Sequence, residues 1–263
     1  MARPVIALLT DFGTRDHYTG TMKGVALGIC ADITFVDITH DIPPQDVAAG
    51  ALELAAAYPY FPAGTIFLVV IDPGVGSRRR AIAAEAGDYR FVAPDNGVLT
   101  LVFQGTPPKR VVEVTEPRYA RPTVSRTFEG RDRFAPAAAW LATGLDLSEL
   151  GPAVRTWHTL AIPEPALRDD RMCGEVLRVD RFGNLVTNVD RRAFEQFAGR
   201  AGVKIVAGAQ ALTEVVATYA DVAPGAVCAL FGSSGHLEVA VNGGSAAARL
   251  DLARGASVTI VRA

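Results

Sequence analysis

Three runs of apolar, largely β-branched residues, VIALLT (5–10), ITFVDI (33–38) and TIFLVVI (65–71), constrain the first half of this chain more than any other feature. Each run is nearly continuous and does not alternate with polar residues, the pattern of strands covered on both faces. The intervals between them carry helical spacing. Met22, Val25, Ala26 and Ile29 line one helical face in the first interval. In the second, Asp46 stands as an N-cap before VAAGALELAAAY, and Pro59 follows it. Strand, helix, strand, helix, strand predicts a largely parallel α/β sheet. Shorter strands are expected at 80–86, 90–93 and 110–114, with a further helix over 132–142.

From Gly151 to Asp170 the chain carries Pro152, Pro163 and Pro165 with little periodicity, which reads as a linker. Beyond it, short runs at 174–180, 203–206, 226–231, 236–241 and 256–261 are punctuated by Gly and Asn. That is the pattern of a small antiparallel barrel or sandwich. Two domains are therefore expected, residues 1–160 and 161–263. A chain of 263 residues, 49% apolar and with a formal net charge of −2, is neither disordered nor a binder of nucleic acid through bulk charge. Cys30, Cys173 and Cys228 have no CxxC spacing, so neither a disulfide framework nor a zinc site is expected. The N-terminus, MARPVIALLTDFG, lacks the long apolar core of a signal peptide, and no apolar run is long enough to span a bilayer. A cytoplasmic protein without a membrane partner is expected.

In an open α/β sheet, ligands bind outside the carboxyl ends of the parallel strands. Asp11 ends the first run and Asp72 the third, so both carboxylates are expected on one edge of the sheet. Turn chemistry alone would account for either one. The turn Pro73-Gly74-Val75-Gly76 has neither the third glycine of a dinucleotide fingerprint nor a Gly-Lys-Ser/Thr ending. It reads as a tight turn aiming Arg78, Arg79 and Arg80, one of which could fold back onto Asp72. Glu129 and Asp132 precede or open the 132–142 helix and have a capping explanation. Asp180-Arg181-Phe182-Gly183-Asn184 and Gly232-Ser233-Ser234-Gly235 read as hairpin-like turns. His40 and Asp41, near Asp37 and Asp46, have no metal-ligand spacing, and no metal is expected.

Six segments together resemble one family: TDFGTRDHYTGTMKG (10–24), IDPGVGSRRR (71–80), APDNGVLT (93–100), TFEGRDRFAP (127–136), DRFGNLVTN (180–188) and GSSGHLEVAVNGGSA (232–246). In order and type they are similar to the S-adenosyl-L-methionine hydroxide adenosyltransferases, relatives of the bacterial fluorinase and chlorinase. The resemblance implies an N-terminal α/β domain and a C-terminal antiparallel β-barrel. It also implies a homotrimer with active sites between subunits, where the substrate S-adenosylmethionine reacts with water to give adenosine and L-methionine, with no separate cofactor. Carried over by position, the water-activating residues fall on Asp72, Arg79 and residue 129. The ribose falls to Asp11, the adenine to Phe182, Tyr219 and Asn184, the methionine ammonium to Asp180, and its carboxylate to Ser233 and Ser234. Gln45 stands where the halogenases carry an aromatic side chain.

Residue 129 departs from the family pattern: Glu stands where the family has His. An ionised Glu only accepts hydrogen bonds, and it places a second negative charge beside the nucleophile, so impaired hydrolysis is expected. A non-catalytic module that binds S-adenosylmethionine or adenosine is the alternative from another class. A halogenase is the third reading. It fits less well, because Asp72 and Gly130 replace the Tyr and Ser of the fluorinase and a carboxylate there repels halide.

Overall fold

The computed structural model of the protein describes residues 3–199 and 202–262. The chain divides into two compact units, Met1–Ala161 and Ile162–Ala263. The first contains strands β1 (Val5–Thr10), β2 (Thr34–Thr39), β3 (Ile66–Val70), β4 (Ala81–Ala86), β5 (Tyr89–Pro94) and β6 (Pro108–Glu113). They form one sheet in the order β2-β1-β3-β5-β4-β6. The pairs β1–β2, β1–β3 and β3–β5 are parallel, and only β4 runs against its neighbours.

The near-continuous apolar runs are explained by cover on both faces. Ile6, Leu8, Ile66, Leu68 and Val70 point to one side, where they meet Met22 and Ala26 of α1 (Tyr18–Leu27) and the alanines of α4 (Ala135–Ala142). The residues between them, Ala7, Leu9, Phe67, Val69 and Ile71, point to the other side. There they meet Leu54 of α2 (Val47–Ala57) and Val102 and Phe103 of α3 (Thr100–Gly105). Asp46 caps α2 as the sequence implies, accepting the Ala49 N–H at 2.9 Å. β2 departs from expectation. It is the edge strand, paired only with β1, and much of it is exposed, Val36 to 37%. An apolar run reports strand propensity, but it does not say whether a second neighbour will cover the strand.

The segment expected as a linker starts as a strap on the first unit. Val154 N–H donates to the Val111 carbonyl at 2.8 Å, His158 N–H to Asp95 Oδ1 at 2.8 Å, and Leu160 N–H to Thr100 Oγ1 at 2.9 Å. The buried Asp95 also pairs with Arg80, whose Nη2 reaches the Thr156 carbonyl at 2.6 Å. Asp95 and Thr100 of APDNGVLT are thus spent on holding this strap.

The second unit is built from β7 (Ala166–Arg168), β8 (Arg171–Val179), β9 (Leu185–Asp190), β10 (Val203–Ala207), β11 (Gln210–Leu212), β12 (Val227–Phe231), β13 (His236–Val241) and β14 (Ser257–Arg262). The order is β11-β10-β14-β8-β9-β13-β12, with β7 beside β8 and every pairing antiparallel. The first half of β8 pairs with β14 and its second half with β9, with an irregularity between Val176 and Arg178. Bulged strands bend, and the sheet curls into a barrel-like form around Val176, Leu185, Ile205, Leu237 and Val258. β9 was absent from the sequence pattern because Thr187 and Asn188 interrupt its apolar run. Both are buried and bonded: Thr187 Oγ1 donates to the Leu237 carbonyl at 2.8 Å, and Asn188 Oδ1 accepts the Glu175 N–H at 2.8 Å. Two short helices, α5 (Arg191–Ala198) and α6 (Ala246–Leu250), join this otherwise all-β unit.

Candidate functional site

Because β1 and β3 are parallel and in register, their carboxyl ends share one edge of the first sheet. Asp11 and Asp72 follow those ends, and they are close enough to influence one another. Burial pushes the Asp11 carboxyl above the usual carboxylate range and the Asp72 charge adds to the rise, while the Gln45 N–H, donated to Asp11 Oδ2 at 2.8 Å, pulls it back.

Of the three consecutive arginines, Arg79 is the one that folds back. Its Nε lies 2.9 and 3.0 Å from the two Asp72 oxygens, and its Nη2 donates to both Asp72 Oδ2 and Glu129 Oε2. All three side chains are largely shielded from solvent. Burial works against the Arg79 charge, but the two carboxylates outweigh it and push the guanidinium's pKa higher still. The Phe134 ring lies under the guanidinium, 5.2 Å from its centroid.

Local backbone delivers these groups. Gly76 has φ 74°, and a Cβ there would lie 2.4 Å from the Arg126 carbonyl oxygen, so only Gly lets the 72–79 turn pack on the segment before Glu129. Arg126 Nη2 donates back to the Gly76 carbonyl at 2.9 Å. Glu129 opens a wide π-type turn, Gly130–Phe134, that leads into α4. Such turns often mark functional sites. Glu129 makes no capping bond there; its side chain is spent on Arg79, and Arg133 Nη2 lies 3.7 Å from its other oxygen. Asp132 is fully buried, bonded to Arg131 and to the Ser125 N–H. His40 joins no metal cluster: its Nδ1 lies 2.8 Å from Thr10 Oγ1 and its Nε2 3.1 Å from Asp37 Oδ1. Among the described residues no group of three or more His, Cys, Asp or Glu is placed to hold a metal ion.

In the second unit, Asp180 organises its own turn. Its Oδ1 accepts the N–H groups of Phe182 at 2.9 Å and Asn184 at 2.8 Å, and its Oδ2 accepts from Asn184 Nδ2 at 2.9 Å. The turn thereby buries Asn184 and leaves Phe182 77% exposed, which excludes core packing as the reason for that ring. Ser233 and Ser234 lie in the turn between β12 and β13, and Ser234 Oγ is buried without a hydrogen-bond partner among the described residues.

Tyr219 is partly exposed, and its hydroxyl donates to Glu238 Oε2 at 3.1 Å. Burial, reinforced by the Glu238 charge, pushes the Tyr219 phenol up to about 12. Glu238 was not singled out in the sequence, although it is the one acidic residue of β13. It is buried, and burial followed by the Asp180 charge holds its carboxyl above the usual range. A Cβ at Gly232 would lie 1.8 Å from Glu238 Oε1, so the glycine makes room for the carboxylate. A lone Glu in an apolar strand, with Gly in the preceding strand-end turn, is the signal that could have found it.

Residues 6–151 match the family model described as SAM hydroxide adenosyltransferase N-terminal domain, and residues 174–259 match that of the C-terminal domain. The chain is 42% identical over 267 residues to a protein of Thermus thermophilus named (R)-S-adenosyl-L-methionine hydrolase, covering 98% of this chain and 100% of that one. A protein of the same name from Salinispora tropica is 40% identical over 257 residues, covering 96% of this chain and 95% of its own. A protein named fluorinase from Nocardia brasiliensis is more distant, 29% identical over 290 residues, covering 98% and 97%. Among solved structures, an uncharacterised conserved protein from Thermotoga maritima superposes with a TM-score of 0.92 at 36% identity, covering 98% of this chain and 100% of that one.

Proposed function

This chain belongs to the SAM hydroxide adenosyltransferase family, and from that premise we propose that it hydrolyses S-adenosyl-L-methionine to adenosine and L-methionine. The observation that carries the reading is the buried Asp72–Arg79–Glu129 assembly, set beside Asp11 on the carboxyl edge of a parallel sheet. Water or hydroxide forms a bond to the ribose C5′ as the C5′–S bond breaks; the sulfonium leaves as a neutral thioether, so the leaving group needs no acid, and where water is the nucleophile its surplus proton is released to solvent. The protein's task is to orient and dehydrate the nucleophile in line with the C5′–S bond. Arg79 stabilises hydroxide-like charge, and Asp72 fixes the guanidinium.

Asp11 holds the ribose hydroxyls. Phe182, with its exposed ring, and Tyr219 stack on adenine, and Asn184, oriented by its bond to Asp180, reads the adenine edge. Asp180 pairs with the ammonium of the methionine part, and Ser233 and Ser234 meet its carboxylate. The unpartnered Ser234 Oγ supports that last assignment. Glu129 weakens turnover relative to a His at this position, because it occupies Arg79 with a second carboxylate and has no proton to donate when ionised.

No cofactor is required by this chemistry. The working assembly is a homotrimer, the residue sets of the two units meeting across subunit boundaries, and the compartment is the cytoplasm, in keeping with three free thiols. Among the described residues no helix is long and apolar enough to cross a membrane.

Incubation of the purified chain with S-adenosylmethionine, followed by chromatography, tests the reading: adenosine and methionine in equal amounts are expected. Ligand binding without adenosine formation would instead identify a non-catalytic module. Sedimentation velocity tests the assembly, and a monomer that still binds adenosine tightly contradicts it.

A further inference from the structure

The connection from β2 to α2 closes on the end of β1 and the turn that follows it at three points. The Gly13 N–H donates to the His40 carbonyl at 2.8 Å, His40 Nδ1 lies 2.8 Å from Thr10 Oγ1, and the Gln45 N–H donates to Asp11 Oδ2 at 2.8 Å. The last of these comes from an unusual backbone. The Asp46 N–H donates to the Pro43 carbonyl at 3.0 Å, so Pro43-Pro44-Gln45-Asp46 is a β-turn with Pro44 second and Gln45 third. Gln45 has φ 68°, the left-handed value that a type II turn requires at its third position, where Gly is the favoured residue. Gln45 is exposed, so burial of its side chain does not hold it there.

Type I and type II turns differ by a flip of the peptide joining their second and third residues. The N–H of that peptide is Gln45's own. In the type II form it meets Asp11; in the type I form it would point to the opposite side of the turn. Left-handed backbone at a non-glycine residue persists only where its surroundings over-determine it, and such positions cluster at functional sites. Here the rigid Pro43-Pro44 pair precedes the residue, and Asp46, which caps α2, anchors the other end.

We propose that Gln45 is a positioning residue, whose backbone N–H in the type II turn fixes one oxygen of Asp11 and so aims the other at the ligand. The proposal rests on the reading of Asp11 as the ribose ligand. The Gln45 N–H is a backbone donor to Asp11 from a distant segment, and it counters both the burial of that carboxylate and the like charge of nearby Asp72.

The test compares Gln45→Gly, Gln45→Ala, Gln45→Val and Asp11→Ala in the full chain. It measures adenosine affinity by calorimetry, kcat and KM for S-adenosylmethionine, and the melting temperature. Glycine removes the side chain but keeps the N–H and tolerates the left-handed backbone, so Gln45→Gly should bind within about twofold of the parent. Valine rejects that backbone, and the flipped peptide should raise KM and the adenosine Kd by roughly tenfold, the loss of one hydrogen bond to a charged group, with kcat changed much less. Alanine should fall between the two, and it serves as the test if the valine variant does not fold. Affinity in Gln45→Val equal to that in Gln45→Gly would overturn the proposal even if the melting temperature fell. So would a Gly variant as weak as the Val variant, which would place the effect in the side chain. If Asp11→Ala weakens binding and Gln45→Val does not, only the role of the turn fails. If Asp11→Ala binds normally, the ribose assignment fails and the inference with it.

Discussion

The two units assemble their polar sites in opposite ways. In the first, Arg79 and Glu129, 50 positions apart, meet only because a glycine turn, a π-type turn and a covered sheet are all in place. In the second, Asp180 binds Asn184 only four positions away, and the turn carries its own hydrogen bonds. A site built from distant segments ties its chemistry to the stability of the whole unit. A site built in one turn can be damaged without disturbing the sheet that bears it.

Arg79→Met should give the largest effect and the clearest break in that comparison. It leaves Asp72 and Glu129 buried near one another without their shared cation, and removing one partner from a buried pair costs about 3 to 5 kcal/mol. Urea unfolding at pH 7 should show this loss together with abolished turnover. A variant as stable as the parent at pH 7 would mean that the assembly is not coupled to the fold.

Glu129→His sharpens the comparison inside the first unit, because it changes the chemistry of the assembly and spares its scaffold. Histidine can donate to, or take a proton from, the attacking water without adding an anion, help that is typically worth about 10²- to 10⁴-fold. With residue 129 facing the nucleophile, as proposed, adenosine formation should rise at least roughly tenfold with a smaller change in KM. Steady-state rates at several pH values check this. Equal or faster turnover with Glu would mean that a carboxylate serves as the base here.

The same contrast explains what could be read in the sequence. The shared edge of Asp11 and Asp72 was legible because parallel strands necessarily put their carboxyl ends together. That one of three arginines would turn back on Asp72 was legible as chemistry; which one depends on the path of the 72–79 turn, and only the family resemblance singled out Arg79. The approach of Glu129 was not legible from periodicity at all, and only the family resemblance placed it beside Arg79. In the second unit the Asp180 turn was plain, being local. Glu238 was missed because a lone charge in a strand ordinarily faces water, whereas here Gly232 opens space for it. Strand β9 was missed for a related reason, since Thr187 and Asn188 look like a loop until their buried bonding partners are known. The edge position of β2 follows from strand order, which no single run encodes.

Asp180→Ala tests the local side of the comparison. It deletes the acceptor of three hydrogen bonds in one turn, and a loss of about 1 to 2 kcal/mol is expected, at the modest end for charged acceptors because the turn is partly exposed. Hydrogen exchange should quicken at Phe182 and Asn184 while protection of Leu237–Val239 and Val258–Ile260, in the sheet that bears the turn, stays as it was. Faster exchange in those strands as well would show that the turn is not a local device.

Glu238→Gln carries the smallest expected effect, and its sign follows from linkage. Burial, then the charge of Asp180, holds the Glu238 carboxyl above the ordinary glutamate value of 4.5 in the folded chain. The folded state therefore keeps a proton that the unfolded state has already released, and stability falls as pH rises from about 4.5 through the folded value. Below that window both states are protonated and the penalty is absent. Glutamine fills the same space, still accepts from the Tyr219 hydroxyl and has no proton to lose. The variant should accordingly be slightly more stable than the parent at pH 7, by less than about 1 kcal/mol for a group that keeps a compensating hydrogen bond, and the two should converge near pH 4. The Tyr219 phenol, pushed up to about 12 by burial and by that neighbouring charge, should titrate lower in the variant, which ultraviolet absorbance reads directly. A gain in stability that is the same at pH 4 and pH 7 would show that packing, and not the cost of a buried carboxylate, sets the behaviour of this strand.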